Sequence, residues 1–267
     1  MELSITTDYV SDHGDPSPCL RRIADAGFTH VHWCHQWSTD FAYSRYEIAQ
    51  IKRWLREFGL KLLDLHGTTG REKNWASDIE WVRRSGVELA RNRIAMTARL
   101  GAGVVVQHLN ADTVTSPVRR SLDELQPYAR RLGVRLAIEN TGRFDVLTAI
   151  FGLYGPDYIG LCYDSGHANL SGGGGAAALE PLRDRLIAVH LHDNDATGDQ
   201  HKLPFMGSVD WQRLMPLIGS SAYRKCLSLE VSMPNSGFAE DAPFLQEAHR
   251  VGEKLVGMIG QQSSGAQ

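Results

Sequence analysis

The stretch that decides the fold is Leu186-Ile187-Ala188-Val189-His190-Leu191-His192-Asp193-Asn194-Asp195-Ala196-Thr197-Gly198-Asp199-Gln200-His201. A short apolar run comes first, and imidazole and carboxylate side chains follow it. This order is typical of a buried parallel strand that delivers side chains to a site at its carboxyl end. Imidazole and carboxylate groups are common metal ligands, so the stretch predicts a metal site. A polar surface loop that carries histidines by chance is the alternative.

Length and composition are consistent with one large domain. The chain has 267 residues, 42% of them hydrophobic, and a net charge of -3. That charge gives no general attraction to nucleic acid or to membrane surfaces. The amino terminus lacks the basic and apolar regions of a signal peptide, and no apolar run is long enough to span a bilayer. We therefore expect a cytoplasmic protein whose four scattered cysteines are reduced core thiols, namely Cys19, Cys34, Cys162 and Cys226.

Apolar runs alternate with longer amphipathic stretches along the whole chain. Strands are predicted over 3–10, 29–37, 60–66, 103–110, 134–141, 159–167, the start of 186–201, and 225–232. Helices are predicted over 18–26, 43–58, 79–100, 116–132, 145–154, 176–184, 210–218 and 242–259. Eight such pairs favour a single (β/α)8 TIM barrel over residues 1–260, with 261–267 as a disordered polar tail. A doubly wound open sheet is the alternative, but no Gly-x-Gly-x-x-Gly follows the first strand.

Chemically active residues recur at the strand ends. Six consecutive predicted strands, the third to the eighth, end in or near a residue that can bind metal: His66, His108, Glu139, Asp164, His190 and Glu230. In a barrel these ends converge on one rim. Asp164-x-x-His167 and Asp199-x-His201 add further side chains of the same kind just beyond the strands. Because carboxylates inside a barrel are costly without a partner, a cation is the expected partner.

Seven short motifs give the chain a family resemblance. They are Leu65-His66-Gly67, Ile138-Glu139-Asn140, Asp164-Ser165-Gly166-His167, His190-Leu191-His192-Asp193, Asp199-Gln200-His201, Met206-Gly207-Ser208-Val209-Asp210-Trp211 and Leu229-Glu230-Val231. As a set they resemble the xylose-isomerase-like barrels, which include sugar isomerases and epimerases and the DNA-repair enzyme endonuclease IV.

The resemblance implies one of two metal sites. In the sugar isomerases and epimerases, one divalent ion would be held by Glu139, Asp164, His190 and Glu230. Glu139 and Glu230 would be the catalytic pair that exchanges a proton with the substrate. In the endonuclease-IV-like members, up to three ions would be held by nine residues: His66, His108, Glu139, Asp164, His167, His190, Asp199, His201 and Glu230. This ligand set suits Zn²⁺ or Mn²⁺ better than Mg²⁺ or Ca²⁺.

The choice between the two activities depends on the Asp199-x-His201 pair. Proton transfer on a sugar has no evident use for it, whereas a multinuclear centre suits phosphoester hydrolysis. We therefore expect a metal-dependent phosphoesterase acting on a small sugar or sugar-phosphate type of substrate. A one-metal sugar isomerase or epimerase is the alternative, with the same pair contacting the substrate.

Several further residues are candidates for substrate binding. Arg71 and Lys73 follow the third strand and are placed to clamp one phosphate, with Trp75 beside them. Trp37 ends the second predicted strand and is a candidate for stacking on a sugar ring, with packing in the core or at the rim as the alternative. Asn140 and His192 complete this set. The partner is expected to be a small molecule rather than nucleic acid, and the sequence leaves the oligomeric state open, a homo-oligomer included.

Overall fold

Eight parallel strands form the centre of the molecule. The computed structural model describes residues 2–10, 14–35, 39–68, 72–109, 111–171 and 175–259. The strands are β1 (Leu3–Thr6), β2 (His30–Trp33), β3 (Lys61–His66), β4 (Val104–Gln107), β5 (Arg135–Glu139), β6 (Ile159–Asp164), β7 (Leu186–His190) and β8 (Leu227–Leu229). Their order in the sheet is β7-β6-β5-β4-β3-β2-β1-β8, and every neighbouring pair is parallel.

The two strands at the ends of this order also meet. Leu191 and Leu229 form a parallel bridge, and the Leu191 amide donates to the Ser228 carbonyl at 2.9 Å. The sheet therefore closes on itself, and the predicted single (β/α)8 barrel is confirmed. The tail predicted over 261–267 lies outside the described residues.

Helices cover the outer face of the barrel. Those described are α1 (Ser17–Asp25), α2 (Arg45–Glu57), α3 (Glu80–Leu100), α4 (Ser116–Leu132), α5 (Phe144–Leu153), α6 (Ser165–Leu170), α7 (Ala176–Leu179), α8 (Trp211–Ser220) and α9 (Asp241–Ile259). Short 3-10 turns occur at Glu180–Arg185 and Pro234–Ser236. None of the helices in the described ranges combines the length and the apolar character needed to cross a membrane.

Helix α6 corrects the sequence prediction, which continued the sixth strand to His167. The strand ends at Asp164, whose carboxylate accepts a hydrogen bond from the His167 amide at 2.6 Å. An aspartate that caps an amide three residues ahead starts a helix, so this side chain ends β6 and begins α6. His167 is thereby turned from a strand position to the first turns of a helix on the rim.

The barrel interior has an apolar side and a polar side. Val104, Val106, Ala137, Cys162 and Ala188 belong to one small buried apolar cluster. On the strands that follow in the closed sheet, the fully buried side chains include four polar ones, namely Ser4, His32, Asp64 and Ser228. Buried polar groups persist only where hydrogen bonds or a cation compensate them. One of these polar side chains reaches the rim, since His32 Nε2 lies 3.6 Å from Glu230 Oε1.

The loop between β7 and α8 is held by one buried carboxylate, that of Asp193. Its two oxygens accept hydrogen bonds from the amides of Asn194, Phe205 and Val209 and from the indole of Trp211, all at 2.9–3.0 Å. The sequence between Asp193 and Phe205 contains Asp199 and His201, so this carboxylate anchors the loop that carries them.

Replacing Asp193 by Asn is expected to destabilise the protein by about 3 kcal/mol, because an amide NH₂ would face two of the four donors and leave them unsatisfied in the interior. Urea unfolding followed by circular dichroism measures the effect. Asp184→Asn, at an exposed position, is the matched control and should change the free energy of unfolding by less than about 0.5 kcal/mol. Equal midpoints for the two variants would contradict the anchoring role.

Candidate metal centre

The rim at the carboxyl ends of the strands is organised around Glu139, the last residue of β5. Glu139 is only 2% exposed. His66 Nε2 and His190 Nδ1 each lie 3.6 Å from Glu139 Oε2, and His108 Nε2 lies 3.2 Å from the same oxygen. His167 Nδ1 lies 3.1 Å from Oε1. Imidazoles at or just beyond the ends of four different strands therefore surround a single carboxylate.

Two sets of these residues have the spacing of metal ligands. One is Glu139, Asp164, His190 and Glu230, all of them buried; the other is His66, His108 and Glu139. In each set one potential ligand atom per residue lies within 4.8 Å of all the others. The first set is the one-ion set implied by the resemblance, and the second corresponds to the additional ion of the larger set. Both sets share Glu139.

The hydrogen bonding of the rim indicates how well a cation fits. Eleven buried side-chain N and O atoms in the described ranges make no hydrogen bond there, and seven of them are in the interior beside the rim. These seven are His32 Nε2, Asp64 Oδ2, Glu139 Oε1, His167 Nδ1, His190 Nδ1, His190 Nε2 and His192 Nδ1. Buried polar atoms without hydrogen bonds are costly and rare. Their concentration around one point fits a site whose lone pairs are directed at a cation.

The acidic surroundings change the proton affinities of the site. Burial raises the pKa of Glu139, but the charges of His108 and His190 outweigh it and place this pKa well below its usual value. Burial lowers the pKa of His190, but the acidic groups Cys162, Glu230 and Glu139 outweigh it and raise this pKa well above 6.5. Burial alone dominates at His66 and lowers its pKa. Charge balance among these groups is therefore met by protons where no cation is bound.

The three residues implied to hold a third ion are arranged as a hydrogen-bonded row. Asp199 Oδ2 lies 3.3 Å from His167 Nε2 and 3.1 Å from His201 Nε2, while the two rings are 6.4 Å apart. Burial lowers the pKa of both imidazoles, but the acidic neighbours outweigh it and raise the pKa of His167 to about 12 and that of His201 to about 10. Asp199 thus bridges two imidazoles at the edge of the site.

Asp164 is fixed from two sides. The Asn140 side chain donates to the Asp164 carbonyl at 2.9 Å and accepts from the Asp164 amide at 2.7 Å. His192 Nε2 lies 3.0 Å from the Asp164 carboxylate, and its ring stacks on that of His201 at 4.0 Å. Close packing also requires Gly166, because a Cβ there would lie 1.9 Å from the His192 ring. Asn140 and His192 therefore support Asp164 directly, in addition to any contact with a substrate.

The remaining predicted substrate-binding residues fall into two groups. Trp75 is buried in the hydrophobic core and donates to the His108 carbonyl at 3.1 Å, so it lies behind a rim residue. Lys73 is half-buried and donates to the Asp40 carbonyl at 3.3 Å. Trp37 and Arg71 lie outside the described residues.

A cavity of about 170 Å³ adjoins Glu139 and is lined in part by Asp112, Thr141 and Arg143.

Sequence analysis missed two polar residues below the rim, His32 and Asp64. His32 Nδ1 lies 2.6 Å from Asp64 Oδ1, and His32 Nε2 lies 3.6 Å from Glu230 Oε1. The sequence feature that identifies them is the alternation of side chains between the two faces of a strand. Asp64 is two residues before His66, and both therefore face the interior. On β2 the same alternation places His32 on the face opposite to Val31 and Trp33.

The Asp199–His201 contact predicts a pH dependence for the metal-free protein. The pKa of His201 is raised from 6.5 to about 10, so its contribution to stability is full below about pH 6.5 and is lost as the pH rises toward 10. The pKa of Asp199 is lowered from 3.8, so its contribution is lost as the pH falls below that value. In EDTA the melting temperature should therefore be highest between about pH 4 and 6.5.

Thermal unfolding across this pH range tests the prediction. The double variant Asp199→Asn with His201→Gln should show a smaller decline in melting temperature above pH 6.5. Identical pH profiles for the variant and the wild type would refute it.

Three known proteins place this geometry in context. An uncharacterised protein of Sinorhizobium fredii, y4fM, is 33% identical over 275 residues, covering 90% of this chain and 88% of the relative. The structure of a D-psicose 3-epimerase, determined in the presence of D-fructose, is 17% identical with a TM-score of 0.78, covering 98% of this chain and 100% of the neighbour. That of an L-ribulose 3-epimerase is 16% identical with a TM-score of 0.75, covering 99% of this chain and 100% of the neighbour.

The match to a family model is decisive for classification. The model for the xylose isomerase-like TIM barrel matches residues 20–248. This range extends from α1 into α9 and contains β2 to β8, so it includes every strand end that contributes to the rim. The resemblance inferred from the motifs is thereby confirmed, and the chain belongs to the xylose isomerase-like TIM barrel family.

Proposed function

We propose that this protein is a sugar isomerase or epimerase that uses one divalent metal ion held by Glu139, Asp164, His190 and Glu230. The observation that carries the proposal is this buried set of three carboxylates and one imidazole, whose potential ligand atoms lie within 4.8 Å of one another. The donor set suits Mn²⁺ or Zn²⁺. This proposal replaces the phosphoesterase that the sequence analysis favoured.

The chemistry requires a polarised carbonyl and two groups that exchange a proton with carbon. When bound, a divalent ion supplies the Lewis acid that polarises a sugar carbonyl. Glu139 and Glu230 are the proton-transfer pair, one removing the proton next to the carbonyl and the other returning it. His190 Nδ1 lies 3.6 Å from Glu139 and 3.1 Å from Glu230, so the two carboxylates stand on either side of one imidazole. Substrate bound above His190 would contact both.

The structural neighbours support a sugar as substrate. Both solved structures described above are of sugar epimerases, and both align with nearly the whole chain. The cavity beside Glu139 is small and partly polar, which suits a monosaccharide better than a large ligand. Arg143 in its lining pairs with Asp145 at 2.5 Å, so its charge is already compensated, which favours a neutral sugar over an anionic ligand.

Phosphoester hydrolysis is the second candidate, and a specific observation favours it. His66, His108 and Glu139 form a further set with metal-ligand spacing. A second ion there would supply the charge neutralisation that phosphoryl transfer needs. Against it, Lys73, one of the two cations predicted to clamp a phosphate, donates to the backbone carbonyl of Asp40. The two candidates differ in metal content and in the role of the Asp199 loop.

Glu139→Gln is expected to lower kcat for sugar interconversion by about 10²–10⁴-fold, because the amide cannot accept the proton. The assay follows a panel of ketoses and aldoses with Mn²⁺ by chromatography. Glu180→Gln, at an exposed position, is the matched control and should leave kcat unchanged. Full turnover in Glu139→Gln would rule out the proposed mechanism. No sugar turnover in wild type, with cleavage of a phosphodiester instead, would favour the second candidate.

The double variant Asp199→Ala with His201→Ala separates the candidates by metal content. Under the sugar-isomerase proposal these residues hold no ion, so elemental analysis of wild type and variant should give the same content per chain. The hydrolase candidate expects two to three Zn²⁺ or Mn²⁺ ions in wild type and the loss of about one in the variant, because a third ion would lose two protein ligands. Such a loss, together with the loss of phosphodiesterase activity, would overturn the proposal.

A further inference from the structure

His32 and Asp64 form a buried pair directly below the proposed metal site. His32 is on β2 and Asp64 on β3, and neither side chain is exposed. The 2.6 Å contact between His32 Nδ1 and Asp64 Oδ1 is short, as expected of a hydrogen bond to an ionised carboxylate. No step of the proposed reaction uses either residue.

The pair fixes which nitrogen of His32 carries a proton. A carboxylate only accepts hydrogen bonds, so Nδ1 is the donor and, in the neutral ring, Nε2 is left with its lone pair. Nε2 faces Glu230 Oε1 at 3.6 Å, which is beyond hydrogen-bond distance. Nε2 makes no hydrogen bond within the described residues. In the neutral ring this lone pair is directed at a carboxylate, so the arrangement needs a proton or a cation on Nε2 to offset their repulsion.

The separation of these two atoms matches that of two ligands on one metal ion. Ligand atoms each about 2.1 Å from a tetrahedral zinc ion lie about 3.4 Å apart. His32, His190 and Glu230 form a set in which one potential ligand atom per residue lies within 4.8 Å of the others, and all three are buried. The two rings of this set are 4.3 Å apart. A metal-bound histidine commonly donates its other N–H to a carboxylate, which is the arrangement of His32 with Asp64.

We propose that His32 is a ligand of the metal centre, forming with His190 and Glu230 a cation position deeper in the barrel than Asp164, with Asp64 holding the ring. This inference rests on the metal site of the proposed function and shares two of its residues. It extends the centre onto the polar side of the interior and assigns a role to Asp64. The donor set of two imidazoles and one carboxylate selects an ion of the zinc class.

The competing explanation is that His32 acts only as a hydrogen-bond donor that positions Glu230. Two substitutions of equal size separate the explanations. Gln at position 32 retains an N–H donor for Glu230 but is a poor metal ligand. Glu at position 32 is a good ligand but repels Glu230 in the absence of metal. The two explanations therefore predict opposite orders of metal affinity for His32→Gln and His32→Glu.

The experiment is a titration of metal-free protein with Co²⁺, followed by calorimetry and by the visible absorption of the ion. If His32 is a ligand, His32→Gln should weaken binding at least about tenfold and His32→Glu should bind more tightly than His32→Gln. Asp64→Asn should also weaken binding. His30→Gln, on the same strand but half-buried and bonded to Thr29, is the control and should bind like wild type. Wild-type affinity in His32→Gln would overturn the proposal, as would weaker binding in His32→Glu than in His32→Gln.

A measurement on the unmodified protein covers the case in which a variant does not fold. Wild type labelled with ¹⁵N-histidine and loaded with ¹¹³Cd²⁺ should show a one-bond coupling between cadmium and His32 Nε2. Its absence, with a coupling to His190 present, would refute the assignment. Both readouts are independent of turnover, so they can succeed where no sugar is converted. Conversely, Asp164→Asn can abolish sugar turnover while the cadmium coupling to His32 persists.

Discussion

The structure depends on the cost of burying several carboxylates together at one end of the barrel. Glu139 is almost inaccessible to solvent, and four imidazoles lie within 3.6 Å of its oxygens. Charged groups removed from water need partners of opposite charge, or a proton or metal ion in their place. The histidines at the neighbouring strand ends are therefore part of the same arrangement as the carboxylates. Removing either component would leave the other uncompensated.

This requirement explains why the interior is divided into two sides. Small apolar residues such as Val106 and Ala137 fill the side below β4 to β7, where packing alone stabilises the barrel. On the side of β1, β2, β3 and β8, the buried residues include His32 and Asp64. Polar residues in such a position cost stability unless they are paired, and they do little for the fold that apolar residues would not do better. Their presence is more readily explained by the site above them than by the barrel itself.

The sequence predicted the barrel well because its signal is repeated. Each strand combines an apolar run with a polar residue at its carboxyl end, as in Ile138-Glu139-Asn140, so eight weak patterns reinforce one another. Structural features that occur only once in the chain were harder to predict. Helix α6 depends on one capping hydrogen bond from His167 to Asp164, and nothing in the local pattern distinguishes it from a longer strand. The pairing of His32 with Asp64 joins neighbouring strands 32 positions apart, and only the register of β2 on β3 brings them together.

The sequence alone does not distinguish a hydrolase from an isomerase, for a related reason. Asp199-x-His201 has the same spacing whether its side chains hold an ion or one another. In the structure, Asp199 bridges His201 and His167, and the ring of His201 stacks on that of His192. These contacts satisfy the hydrogen bonding of His167, Asp199 and His201 without an ion. They also connect these residues to Asp164 through His192. At the proposed one-metal site the loop would orient the side chains that fix the Asp164 carboxylate, and its motif alone is not grounds for a third metal.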